Sequence, residues 1–157
     1  MAKNSAENEA ICDMLLDCGP FINFPVAELQ TMAAYFRLIK LAAGEIIFNE
    51  GDAGTFMCIV QIGDVAVLKE NSSKQNVEMA ILRKGRAFGE MAVLDGERRS
   101  ATCTAISECR LLILSKEALD KMLLDAPRSA AKVIRALAVS LSKRLRMADG
   151  KLVDQAV

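Results

Sequence analysis

The chain has 157 residues, of which 52% are hydrophobic, 25% charged and 4% aromatic, so it is long enough for one folded domain and too apolar for a disordered one. Its 20 basic residues balance 20 acidic ones, and bulk charge therefore points neither to a nucleic-acid binder nor to an enzyme for acidic substrates. Histidine is absent, which excludes a Ser-His-Asp triad, a Cys-His dyad and any His-based zinc or iron site built from this chain alone.

Residues 1–10 lack the apolar stretch of a secretory signal, and no apolar run approaches the ~18 residues of a membrane span. Residues 7–18 have the pattern of a short helix with Ile11, Met14, Leu15 and Cys18 on one side. A second helix is expected from Pro25 to Phe36: proline suits a first turn, and Leu29, Met32, Ala33 and Phe36 repeat at helical spacing. After Gly44 the rhythm changes. Short apolar stretches at 45–48, 56–61, 65–69, 77–82, 101–105 and 110–114 alternate with Gly51, Gly54, Gly63, the Asn71-Ser72-Ser73 cluster, Gly85 and Gly96. Such spacing predicts a sandwich, barrel or jelly roll. Val65, Val67 and Lys69 alternate with Ala66 and Leu68, which suits a barrel wall or a strand buried on both faces.

Helices return at the end of the chain. Ser115 is a good N-cap for a helix over 116–124, and Pro127 opens a long helix with no further glycine or proline before Gly150. Ile134, Leu137, Leu141, Leu145, Ala148 and Leu152 form an apolar seam near the heptad spacing, fit to lie on the chain's own roll or on a second copy. Charge is unevenly spread: residues 1–34 are net −4, whereas residues 126–148 are net +6 with no acid. Those basic residues are either a solvated helix face or the contact for an acidic ligand or partner. The five cysteines, 12, 18, 58, 103 and 109, contain no C-x-x-C pair. They are expected as buried, reduced thiols in a cytoplasmic protein, without disulfides, zinc or an iron–sulfur cluster.

Residues 85–105, GRAFGEMAVLDGERRSATCTA, concentrate the chemistry. Gly89 admits backbone geometry closed to other residues and the close approach of a ligand. Glu90–Val93 can form a helical turn whose first N–H groups favour an anion. Arg99, nine residues after Glu90, offers a fork for two phosphate oxygens, and the small Ser100 and Ala101 let backbone and hydroxyl approach the same group. Glu90 repels phosphate but accepts from a sugar hydroxyl. A ribose-binding acid beside a phosphate-binding arginine describes a nucleotide pocket; a turn carrying a surface Arg-Glu pair is the plain alternative.

Three motifs in order set this pattern apart: A-G-E-I-I-F-N-E-G-D at 43–52, Gly63 at a hairpin, and F-G-E-M-A-V-L-D-G-E-R-R-S-A-T at 88–102. The chain resembles the cyclic nucleotide-binding domain family, which includes catabolite activator proteins, protein kinase A regulatory subunits and cyclic-nucleotide-gated channels. The resemblance covers roughly residues 20–150. It implies a mainly β fold with flanking helices: an eight-stranded jelly roll, or double-stranded β-helix, with N-terminal helices (1–36), the roll (37–115) holding a phosphate-binding cassette at 88–102, and C-terminal lid or dimerisation helices (116–157).

The resemblance also implies residue roles. Glu90 accepts the ribose 2′-hydroxyl; Gly89, Met91 and Ala92 present backbone groups to the cyclic phosphate and sugar; Arg99 pairs with the phosphate, helped by Ser100 and Ala101. Val77, Ile81 and Phe88 are candidates for the base or the pocket wall. Asp149 either accepts from an exocyclic amino group or is a solvated acid. Arg98 stands where many members carry proline, and 56–60 lack a tyrosine often found there. Serine after the cassette arginine leans to cAMP over cGMP. The expected function is a cAMP sensor that signals through its C-terminal helices and dimerises through the long one; no catalysis, metal or cofactor is expected. Cupin-type oxygenase chemistry lacks its histidines, and phosphodiester hydrolysis lacks a metal-carboxylate cluster. A cGMP or cyclic di-GMP sensor, and an interaction module with a vestigial pocket, stay open. The helix-turn-helix of the bacterial transcription factors does not follow the long helix, so no direct DNA binding by this chain is expected; a stand-alone sensor and a fragment of a longer protein are both open. The effector is not specified.

Overall fold

The computed structural model describes residues 4–155. Helix α1 (Ser5–Leu16) starts at Asn4, whose side chain accepts from the Glu7 N–H at 2.8 Å. A 3-10 turn follows at Gly19–Phe21, then α2 (Val26–Ala33). Helix α2 is shorter than the sequence rhythm suggests. The chain leaves it at Ala34 so that Phe36 enters the core and β1 (Arg37–Leu41) can begin.

The strands are β2 (Ile46–Phe48), β3 (Phe56–Ile62), β4 (Val65–Glu70), β5 (Asn76–Leu82), β6 (Ala87–Phe88), β7 (Thr102–Ala105) and β8 (Cys109–Ser115), with helix α3 (Glu90–Asp95) between β6 and β7. They make two four-stranded antiparallel sheets, ordered β1-β8-β3-β6 and β2-β7-β4-β5. This is the eight-stranded roll that the family resemblance implies. Six of its strands follow from apolar patterning; β1 and β6 do not. Ser115 caps α4 (Lys116–Asp125) by accepting from the Ala118 N–H at 2.9 Å. Helix α5 (Pro127–Gln155) is 29 residues long and continues through Gly150. Among the described residues no helix is long and apolar enough to cross a membrane.

The period-two rule explains why β3 and β8 are almost wholly apolar. Met57, Ile59, Leu112 and Leu114 join a cluster with the helices, around Leu15, Leu29, Phe36, Met122 and Leu137. Their neighbours Cys58, Val60, Leu111 and Ile113 face the roll interior with Val65, Leu82, Cys103 and Ala105. One sheet thus serves two cores, and the second sheet, covered on one side only, closes the roll.

Glutamate 28 ties α2 to α5. It accepts from Ser129 Oγ at 2.7 Å and pairs with Lys132 Nζ at 2.6 Å. Helix α3 is seated on Gly54: a Cβ at that position would overlap the Ala92 side chain and lie 3.2 Å from the Ala92 Cα. Gly54→Ala is therefore expected to lift α3 off the roll and cost about 1–3 kcal/mol of stability, read as a lower urea midpoint.

Candidate functional site

Two distant sequence motifs meet here through the backbone. The Gly51 N–H donates to the Arg99 carbonyl at 2.8 Å, the Arg99 N–H donates to the Asp52 carbonyl at 2.8 Å, and Arg98 bridges to Ala53. The Glu50 N–H donates to Thr102 Oγ1 at 2.8 Å, and at the other end of the segment the Gly44 N–H donates to the Ala105 carbonyl at 2.7 Å while the Ala105 N–H donates to the Glu45 carbonyl at 2.9 Å. The 43–52 loop is thus the strap that holds the 98–102 segment. Arg98, standing where proline is common, donates from Nη1 to the Gly51 carbonyl at 3.0 Å and adds to the strap.

That strap turns the Arg99 side chain inward. It is only 4% exposed and lies between two rings, with Cζ 3.9 Å from the Phe48 centroid and 4.7 Å from that of Phe56. Stacking of this kind suits a guanidinium, which is weakly hydrated and planar. Nη1 donates to the Gly89 carbonyl at 2.9 Å and Nη2 to the Phe56 carbonyl at 2.5 Å, while Nε is buried without an acceptor. Burial lowers the Arg99 pKa from its usual value, yet an arginine stays protonated at neutral pH. Among the described residues no carboxylate is in ion-pair range of it.

Gly89 has φ +75° and is the N-cap of α3. A Cβ there would sit 2.6 Å from Arg99 Nη1 and 3.2 Å from the Phe48 ring. Glu90 opens the helix and is 2% exposed. Its carboxylate meets the guanidinium of Arg144 from α5, whose Nη2 faces Glu90 Oε1. Met91 is 52% exposed on α3, whereas Ala92 is buried against Gly54. Ser100 is exposed, and its carbonyl accepts from Lys69 Nζ at 2.7 Å; Ala101 is half-buried. The structure therefore places Gly89, Glu90, Arg99, Ser100 and Ala101 in one connected stretch of backbone.

The further candidates separate. Phe88 is buried in the roll and packs on Phe48 at 6.0 Å. Val77 pairs with Lys69, on the interior face shared with Val65 and Leu82. Ile81 pairs with Ala66, on the other face, so the register corrects its expected inward placement. Met79 is an extra residue with no partner between the Val67–Ala80 and Leu68–Glu78 pairs, and this bulge turns the exposed Val77 side of β5. Asp149 is exposed on α5. Sequence reasoning missed Arg144, Lys69, Phe48 and Phe56. Each acts through tertiary contact, and Arg144 was one of six basic residues with nothing in its own sequence surroundings to single it out.

All five cysteines are free and buried. Burial pushes Cys103 up to about 12, so it stays a thiol despite the nearby positive charge of Arg99. Among the described residues no group of three or more Cys, Asp or Glu side chains is arranged to hold a metal ion.

Known proteins share this fold. The model of the cyclic nucleotide-binding domain family matches residues 38–126, which span the roll, the strap and the cassette. The chain belongs to the cyclic nucleotide-binding domain family. It is 34% identical over 125 residues to the cyclic AMP receptor protein of Thermus thermophilus, covering 80% of this chain and 56% of the relative. It is 23% identical over 142 residues to a cAMP-activated global transcriptional regulator of Mycobacterium tuberculosis, covering 90% and 62%. The chain thus spans little more than half the length of these relatives. The crystal structure of a cyclic nucleotide-binding domain from Methylobacillus flagellatus superimposes with a TM-score of 0.84 at 25% identity, covering all of this chain and 88% of that one.

Because Gly89 combines a left-handed φ with contact to Arg99, Gly89→Ala is expected to destabilise the fold by about 1–3 kcal/mol, measured as a fall in the thermal midpoint.

Proposed function

We propose that the chain binds cAMP in the roll and transmits occupancy through α5. The observation that carries this reading is the buried guanidinium of Arg99. A buried charge without a counter-ion is costly, and this one keeps an orphaned Nε donor. An anion of the right size relieves both faults, and a cyclic phosphate seated at the start of α3 does so. Glu90 then takes the ribose hydroxyl, accepting a hydrogen bond that an ionised carboxylate makes well. Arg144 already touches that carboxylate, so ribose binding changes what α5 rests on. Val67 and Ala80 share the interior face with Val77 and offer apolar contact for a base.

The choice of cAMP rests on Ser100 after the cassette arginine and on the names of the relatives above. The ligand is expected to be bound without being turned over. Cytoplasmic action belongs to the same proposal, supported by five unpaired, buried cysteines. The competing reading, a vestigial pocket, draws on the two carbonyls that already occupy Arg99 and on Arg144 already occupying Glu90.

Calorimetric titration with cAMP and cGMP decides between them. Saturable binding, tighter for cAMP, is expected, and chromatography should recover unaltered nucleotide. Tighter binding of cGMP reverses the specificity, and no binding of either by folded protein at millimolar concentration leaves the vestigial reading. Arg99→Ala removes one partner of a buried charge contact, a loss of about 2–5 kcal/mol, or roughly 30-fold or more in affinity.

A homodimer through α5 belongs to the same proposal. Leu137 is buried, but the seam continues outward through Leu145 at 63% and Leu152 at 64% exposure, which a second copy would cover. Sedimentation should show a dimer that Leu145→Glu with Leu152→Glu converts to monomer.

A further inference from the structure

A groove of about 810 Å³ lies outside the roll, between the 3-10 turn, the Gly85–Ala87 turn and one face of α5. Its volume is within the usual range for small-molecule sites, about 300–1,000 Å³. Arg86, Lys132, Arg135, Lys143, Arg144 and Lys151 line it, and no Asp or Glu does. Four of the six basic residues of 126–148 are therefore gathered on the groove side of the helix rather than spread around it. Lys132 has Glu28 and Arg144 has Glu90, but among the described residues no carboxylate is in ion-pair range of Arg86, Arg135, Lys143 or Lys151.

The wall opposite α5 is built to stay in place. The Val60 N–H donates to the Arg86 carbonyl at 3.0 Å, the Gly85 N–H to the Val60 carbonyl at 2.8 Å, and the Gly19 N–H to the Gly85 carbonyl at 3.1 Å. Arg86 is thus fixed on its backbone to β3, one of the most buried strands. Burial lowers the Arg144 pKa, and the positive charge of Arg86, which lines the same groove, lowers it further. Arg144 Nε is buried without an acceptor. Two guanidinium groups in a cleft whose lining holds no acid, one of them keeping an orphaned Nε donor beside its contact with Glu90, form a receptor for an oxyanion. Phe24, Val139 and Met147 give the same cleft an apolar wall for the uncharged part of a ligand.

We propose that this groove is a second anion site, taking a phosphate-bearing metabolite whose oxyanion sits between Arg86 and Arg144 with the lysines of α5 around it. The site lies on the helical side of the roll and shares Arg144 with the Glu90 contact, but it does not require that the roll bind cAMP.

Inorganic pyrophosphate is the probe. It is titrated into the full chain at about 0.1 M salt, where long-range attraction between exposed charges is screened, and followed by calorimetry and by backbone amide shifts. Saturable binding is expected, with shifts at 85–87 and along 132–151. Arg86→Gln and, separately, Arg135→Gln should each weaken it about tenfold or more, with thermal midpoints near that of the parent chain and cAMP titrations unaltered. Vesicles of phosphatidylglycerol form a second arm and should not sediment the protein. The proposal is overturned by shifts confined to 89–101, by equal affinity in both variants, or by absence of saturation. Sedimentation with vesicles that Arg86→Gln abolishes overturns the metabolite and assigns the phosphate to a lipid headgroup.

Discussion

The site depends on one positive charge held out of water. Arg99 is stacked between Phe48 and Phe56, hydrogen-bonded to the Gly89 and Phe56 carbonyls, and strapped at its backbone to Gly51 and Asp52. These contacts come from β2, β3, the strap and the cassette, so the roll has to be closed before the guanidinium can occupy its place. Desolvating a cation is expensive, and the structure offsets this with ring faces and carbonyl dipoles rather than with a carboxylate. What results is a preorganised positive centre with one buried donor, Nε, left without an acceptor.

Glu90 lies one residue after Gly89 and is as buried as Arg99, yet its partner comes from the far end of the chain. This separates the two charges functionally. Arg99 answers to the roll, through loops that are adjacent in space. Glu90 answers to α5, through Arg144. A ligand that touches both is in contact with two parts of the molecule that otherwise meet mainly through apolar packing of α5 on the 3-10 turn, α2 and α4.

Much of this was legible in the residues. Glycines and polar clusters between apolar stretches marked six of the eight strands, Ser115 and Pro127 marked the starts of α4 and α5, and the cassette marked Glu90 and Arg99. The rest was hidden for physical reasons. Strand β1 follows α2 with no glycine or proline to separate them, and its half-buried residues carry a weak alternation. Strand β6 has two residues, too few for any period. That Val77 and Ile81, four residues apart, face opposite sides of β5 could not be judged, because a single bulged residue at Met79 shifts the face of what precedes it without leaving a mark in composition. Phe48 and Phe56 look like ordinary core aromatics until Arg99 is found between them. The +6 segment was visible as charge, but only the fold shows that most of it faces one cleft.

The contact between Arg144 and Glu90 also sets a fulcrum. Helix α5 continues from Arg144 to Gln155, eleven residues further, which at ~1.5 Å per residue is an arm of roughly 16 Å. Its packed portion, from Ser129 to Leu137, lies on the near side of that point. A small tilt where the guanidinium rests is therefore magnified at Gln155, so displacements too slight to disturb the core become ångström-scale travel for whatever touches that turn of the helix.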